Sequence, residues 1–276
     1  MAPRVLEAHR LPTELLWNLT LRELRGKFKR SALGWLWSVI NPLASIAIYA
    51  VVFGAFIKVR FPAGDPSGLE VYGFYLVCGL LPWTFVATGL SGATGSIVAN
   101  EGLVKKVYFP RSVLPTASTL AWLASFGVEL IVLGVVLLAV GNFILPWIPV
   151  VVALMVLQAG FVLGIGLMLA AANAYFRDVQ HFLAIALNVW FYATPIIYPP
   201  DLPPEESTLL GVTIPVRSLL QVNPMAIFVD AYRDVLYDLR WPAPTQWLAM
   251  TAIAVVALAV GSLVFRRLEP RLAEEM

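Results

Sequence analysis

Side chains able to do chemistry are sparse in this chain, and the few present narrow what it does. Glu129 is the one acid inside a long apolar run, residues 112–176. An ionised carboxylate in hydrocarbon is costly enough to be a functional candidate by default. Glu129 therefore reads either as a hydrogen-bonded structural group or as the basis of ion coupling. Asp230, Asp234 and Asp238 recur every four residues and so share one helical face. They fit a cation site, the catalytic acids of a membrane-embedded glycosyltransferase acting on lipid-linked sugars, or a solvated face partly neutralised by Arg233. His9, His181 and the lone Cys78 form neither a metal-ligand set nor a disulfide framework. No Gly-x-x-x-x-Gly-Lys-Ser/Thr loop occurs, so no phosphate cradle of that kind is available. The chain is expected to carry no cofactor and no catalytic residue of its own; if its work is ATP-driven, ATP and magnesium sit on another polypeptide.

The elements that position these groups follow from composition. Hydrophobic residues make up 59% of the chain, charged residues 13%, and mean hydropathy is +0.80, against about 25% charged in a soluble domain. A water-soluble protein is excluded. Measured against the roughly 20 apolar residues that cross a bilayer as a helix, residues 35–57 and 71–99 qualify, the second with Pro82 near its middle. The run 112–176 is cut into two spans by Gly141, Asn142, Pro146 and Pro149. Residues 182–200 and 245–265 give a fifth and a sixth. The expected fold is an all-α integral membrane protein of six transmembrane helices forming one domain over 1–276. Of the 19 Lys and Arg, only Lys58, Arg60, Arg217, Arg233 and Arg240 fall on one side of these spans. Cations accumulate on the cytoplasmic side, so both termini are expected there, in a multi-pass protein of the plasma (inner) membrane. Distributed this way, the cations do not pool into a nucleic-acid patch.

Three segments outside the spans stand out. Residues 13–30 form an amphipathic helix capped by Thr13, with Trp17, Leu21, Leu24 and Phe28 on one face and Arg22, Arg25 and Lys29 beside it. Such a helix lies in the membrane surface, as a lipid anchor or as a gate that receives an anionic headgroup. The connection 100–111 mixes Glu101, Lys105, Lys106 and Arg111 with bulky apolar groups, Tyr108 and Phe109 among them, in a loop that ought to be solvated. Apolar groups in such a place suggest a docking surface. Residues 201–240 are too long for a turn, and pieces 209–220 and 224–236 have the length of re-entrant or interfacial helices. Among 9 Trp, 9 Tyr and 15 Phe, Tyr49, Phe53 and Phe56 share a face of the first span. Trp190, Phe191 and Tyr192 crowd the fifth. Aromatic planes stack on sugar rings but also serve ordinary packing.

The run Lys27, Phe28, Lys29, Arg30, Ser31, Ala32, Leu33, Gly34, Trp35, Leu36, Trp37, Ser38, followed by Asn41 and Pro42, resembles the start of permease subunits of ABC-type polysaccharide exporters. This family includes the O-antigen, teichoic-acid and galactan exporters. The resemblance continues in order through Lys105, Lys106, Phe109, Pro110, Arg111, Leu114 and Pro115, then Phe176, Arg177 and Asp178, then Thr194 to Tyr198, then Asn223 and Pro224. Phe28 stands where many relatives carry Tyr, and Thr194 where many carry Ser. The resemblance implies a homodimer bound to two copies of a separate ATPase, exporting a polymer on a polyprenyl diphosphate lipid. It implies a gate helix bearing Trp17, Arg22, Arg25, Phe28, Lys29 and Arg30, with Leu33 and Gly34 in the joining loop. Glu101, Lys105, Lys106, Tyr108, Phe109 and Arg111 would couple to the ATPase. Tyr49, Phe53, Phe56, Trp190, Phe191 and Tyr192 would line the channel.

Overall fold

Long apolar runs with no internal charge have one low-energy option in lipid, the helix, because it satisfies its own backbone polar groups. The computed structural model describes residues 10–27, 33–52, 63–199, 204–209, 212–214, 220 and 222–272. It contains α1 (Arg10–Lys27), α2 (Trp37–Tyr49), α3 (Tyr72–Ala99), α4 (Glu101–Lys106), α5 (Val113–Ala139), α6 (Ile148–Tyr175) and α7 (Val179–Tyr192). Then come strands β1 (Ser207–Leu209) and β2 (Val212–Ile214), followed by α8 (Pro224–Arg233) and α9 (Pro244–Leu268). Among the described residues four helices, α3, α5, α6 and α9, are long and apolar enough to cross a membrane. α2 and α7 are equally apolar but have 13 and 14 residues, a rise of about 20 Å against a hydrocarbon core of about 30 Å.

α3 is the hub, buried along almost its whole length and packed on α2, α5, α6, α7 and α8. Pro82 sits inside it without ending it; Gln158 of α6 donates to the Pro82 carbonyl at 2.9 Å, tying the two helices at that level. The lone Cys78 is fully buried here. The α5–α6 break falls where Gly141 adopts φ +92°. Asn142 N–H bonds back to the Leu137 carbonyl at 2.9 Å, the left-handed helix stop that glycine permits.

α6 and α9 form the most intimate crossing. A Cβ on Gly164 would lie 2.2 Å from the Ala257 carbonyl carbon, and one on Gly261 would lie 2.0 Å from the Gly164 oxygen. Gly160-x-x-x-Gly164 meets Ala257-x-x-x-Gly261, small residues that let two membrane helices touch backbone to backbone.

Two expectations change on inspection. The first piece of the outer segment, expected as a re-entrant helix over 209–220, contains a two-stranded antiparallel ribbon pairing Leu209 with Val212 and Ser207 with Ile214. α1 begins at Arg10, ahead of Thr13, because Pro12 falls within the first turn, where no backbone donor is needed.

Candidate functional site

At one end of the bundle α4 and the loop behind it project between α3 and α5. Glu101 pairs with Lys105 at 2.6 Å and with Arg177 of the α6–α7 turn at 3.5 Å. The bond to Lys105 holds the Glu101 carboxyl below its ordinary range. Val104 is buried under the short helix and Phe109 is half-buried against the same apolar cluster, whereas Tyr108 is fully exposed and Val107 half-exposed. Arg111 is held from the far side: its N–H donates to Glu269 Oε1 at 2.8 Å, and its guanidinium donates to the Glu269 carbonyl. The result is a braced platform that offers apolar side chains where water is expected, with exposed Lys105 and Lys106 in the last turn of α4 and exposed Arg266 and Arg267 in the last turn of α9. A groove of about 520 Å³ runs between residues 107–111 and Glu269–Pro270.

α1 leans on α5 beside this platform. Its contact face is built on Leu19 and Thr20, both buried, with Leu15 and Leu16 alongside, while Trp17 is 64% exposed and Arg25 is exposed. Arg22 donates to Asn100 Oδ1, which ties α1 to the α3–α4 junction. The last residue, Lys27, reaches into α5: its Nζ donates to the Ala121 carbonyl at 3.1 Å and Ser125 Oγ at 2.9 Å. The ammonium also stands 3.3 Å from the Trp122 ring centroid, and Glu129, one turn along, acts on its charge. The acid that sequence singled out thus lies one helical turn from the serine that binds this cation. Lys27→Met is expected to cost about 2–3 kcal/mol of folding stability through two lost hydrogen bonds and a cation–π contact. Adding Glu129→Gln to that variant should cost nothing further, because it removes the acid left unopposed. Thermal unfolding of both single variants and the double variant measures this coupling.

Phe28, Lys29, Arg30, Phe53 and Phe56 lie outside the described residues. Leu33 is partly exposed and Gly34 takes φ +50° in the turn before α2. Tyr49 and Phe191 are half-buried against the core. Trp190 packs edge-on to Trp83 at 5.7 Å and Phe161 at 6.2 Å, and Tyr192 is exposed. Within one chain Trp190 and Phe191 thus face inward, and only Tyr192 of this trio projects outward.

At the opposite end the sequence motifs converge. Asn223 caps α8 by accepting from Met225 N–H at 3.0 Å, accepts from Trp190 Nε1 at 2.8 Å, and donates to the Ala193 carbonyl at 2.9 Å and Thr194 Oγ1 at 3.0 Å. Arg233, 3% exposed, donates to the Pro195 and Ile196 carbonyls, each at 2.7 Å, and stands 3.7 Å from the Tyr75 ring centroid. The acids Asp230, Asp234 and Asp238 are all engaged. Asp234 accepts from Arg240 Nε at 2.7 Å, Asp238 lies 3.4 Å from Arg240 Nη2, and Asp230 lies 3.6 Å from Arg233 Nη1. Burial raises the Asp230 carboxyl to about 6, with Arg233 opposing. No cluster of three or more His, Cys, Asp or Glu fit for a metal occurs among the described residues. Sequence reasoning missed Glu269, Asn100 and Ser125, whose partners are 78 to 158 positions away; none carries a local signal.

Residues 14–237 match the ABC-2 type transporter family. Over 263 residues, 95% of both chains, the sequence is 31% identical to the O-antigen export system permease protein RfbA of Myxococcus xanthus. It is 28% identical over 263 residues to RfbA of Klebsiella pneumoniae, covering 95% of this chain and 94% of that one. It is also 25% identical over 280 residues to the polysialic acid transport protein KpsM of Escherichia coli, covering 98% of each.

Proposed function

Because this chain belongs to the ABC-2 type transporter family, we propose that it is the permease of an ATP-driven exporter of polysaccharide. The cargo is a polymer on a polyprenyl diphosphate lipid, carried from the cytoplasm to the outer side of the plasma (inner) membrane. The relatives' names, O-antigen export permease and polysialic acid transport protein, support the polymer class. In this reading the platform end is cytoplasmic, α2 and α7 complete six crossings together with their flanking segments, and two copies of the chain associate with two ATPase subunits that bind ATP and magnesium. α1 lies at the cytoplasmic membrane surface and gates entry. The exposed faces of α2 and α7, Tyr192 included, line the polymer's path. α8 closes the far end as a re-entrant element.

One observation carries the proposal: Tyr108 and Val107 are exposed on a loop flanked by an ion pair on one side and hydrogen bonds on the other. Ordering an apolar side chain in water brings no stability to the chain itself, so the platform is built for a partner. A glycosyltransferase reading needs Asp230, Asp234 and Asp238 free, and each is engaged by an arginine. The test is retention of the ATPase. Tyr108→Ala should leave the permease's own unfolding midpoint unchanged, weaken ATPase binding by about 30-fold, the effect of an interface hot spot, and abolish export. Normal ATPase retention and export by this variant would remove the assignment.

A further inference from the structure

The platform has two walls, and only one of them, the 107–111 loop, belongs to the α4 segment. α9 does not end in free solvent. The Tyr175 hydroxyl donates to the Leu268 carbonyl at 3.1 Å, and the turn Glu269–Arg271 folds back toward the loop. Leu272 is then buried completely in the cluster that holds Val104 and Leu114. Anchored at both ends, the turn places Glu269 so that its carboxylate takes the Arg111 N–H at 2.8 Å while its carbonyl takes the Arg111 guanidinium. Arg111 N–H lies just ahead of α5, where no helical carbonyl is available to it. Glu269 supplies that acceptor across 158 positions of sequence. Pro270 then faces the loop across the groove of about 520 Å³.

We propose that Glu269 is the positioning residue of the docking loop, and that the turn Glu269–Arg271 is the second wall of the surface that receives the ATPase subunit. This rests on the reading of the platform given above and extends it to a second chain segment. The groove is apolar along Val107, Tyr108, Pro110 and Pro270, and the helical turns that lead into its two walls carry exposed cations, Lys105 and Lys106 on α4 and Arg266 and Arg267 on α9. Its occupant is therefore an apolar segment of the ATPase flanked by carboxylates, since charge complementarity fixes register and excludes wrong partners. The arrangement also gives the ATPase a grip on α9 as well as on the α3–α5 connection. α9 in turn touches α6 backbone to backbone at Gly164 and Gly261.

The experiment uses the full chain in lipid nanodiscs, titrated with its purified ATPase subunit, with the permease's own unfolding midpoint measured in parallel. Glu269→Ala is expected to weaken ATPase binding about tenfold, the scale of losing a charge-assisted hydrogen bond and the order it imposes, with the midpoint unchanged. Glu269→Gln keeps an acceptor for Arg111 N–H and should restore most of the affinity. A direct contact of Glu269 with the ATPase would instead lose as much in Gln as in Ala, and that result would overturn the positioning role. Combined with Tyr108→Ala, Glu269→Ala should add little, because it acts through the loop that carries Tyr108; additive losses would count against it. Should Glu269→Ala fail to fold, Arg111→Met, which keeps the N–H bond to Glu269 but removes the guanidinium bond and a groove-lining charge, is expected to cost at least about threefold. Wild-type affinity in either folded variant, with Tyr108→Ala still defective, defeats this inference and leaves the permease assignment standing. Wild-type affinity in Tyr108→Ala as well defeats both.

Discussion

Replacing Arg233 with methionine should lower folding stability by about 3–5 kcal/mol, the cost of breaking a buried charged network by deleting one partner. The guanidinium fills its site with little freedom. Two of its nitrogens reach the Pro195 and Ile196 carbonyls, its Nε approaches the Tyr75 carbonyl at 3.5 Å, and Asp230 lies beside it. Gly79 makes room for it: a Cβ there would stand 3.0 Å from Arg233 Nη2. Methionine matches the volume but leaves three carbonyls and one carboxylate without their donor. Lysine restores the charge but not the planar fork, so Arg233→Lys should recover only part of the loss. Thermal unfolding in detergent, with the exposed Arg25→Gln as a near-neutral control, provides the comparison. A midpoint for Arg233→Met within one degree of wild type would contradict this account.

Glycine at the α6–α9 crossing gives the second large effect. Gly261→Val should abolish recovery of monodisperse protein, and Gly164→Val should do the same. Even alanine places its Cβ 2.0 to 2.2 Å from backbone atoms of the facing helix, and a backbone cannot rotate away as a side chain does. Ordinary overpacking costs about 1–3 kcal/mol; here whole helices must separate, along with every contact on either side of the crossing. Gly26→Ala, where nothing lies within 4 Å, should be tolerated and gain slightly from helix propensity. Size-exclusion profiles of the three variants from equal membrane preparations settle the point. A normal profile for Gly261→Val would mean the helices do not cross so closely.

What the sequence made legible was governed by one-dimensional physics. The second span, read as 71–99, is observed at Tyr72–Ala99. The break inside 112–176 falls at Gly141, as the Gly, Asn and Pro cluster implied. Apolar length and backbone breakers act within a few residues, so they survive without knowledge of the partners. Features set by distant contacts did not. On α1 the helical wheel put Trp17, Leu21, Leu24 and Phe28 on one face, whereas the buried residues are Leu19 and Thr20 with Leu15 and Leu16 alongside, and Lys27 is drawn in by Ala121 and Ser125, 94 and 98 positions away. Arg233 was counted as one more outer cation, since nothing near it in sequence announces three carbonyls from other segments. The four-residue repeat of Asp230, Asp234 and Asp238 implied one helical face, open to a cation, to catalysis or to solvent, but Asp234–Asp238 is wound as a π-helical turn, and Arg240 closes over two of the three acids. The ribbon did leave a local trace, a glycine between short runs that contain β-branched residues, and it was outweighed by the apolar length of that piece.

The solitary thiol has a practical corollary. Cys78 is sealed inside α3 with no accessible surface, so water-soluble maleimides find no target on the folded chain. Reporter cysteines installed singly at exposed positions such as Phe143 or Val222 can then be read by dye labelling against a silent background, in a protein otherwise unaltered. Conformational cycling becomes open to fluorescence without first stripping out a native sulfhydryl.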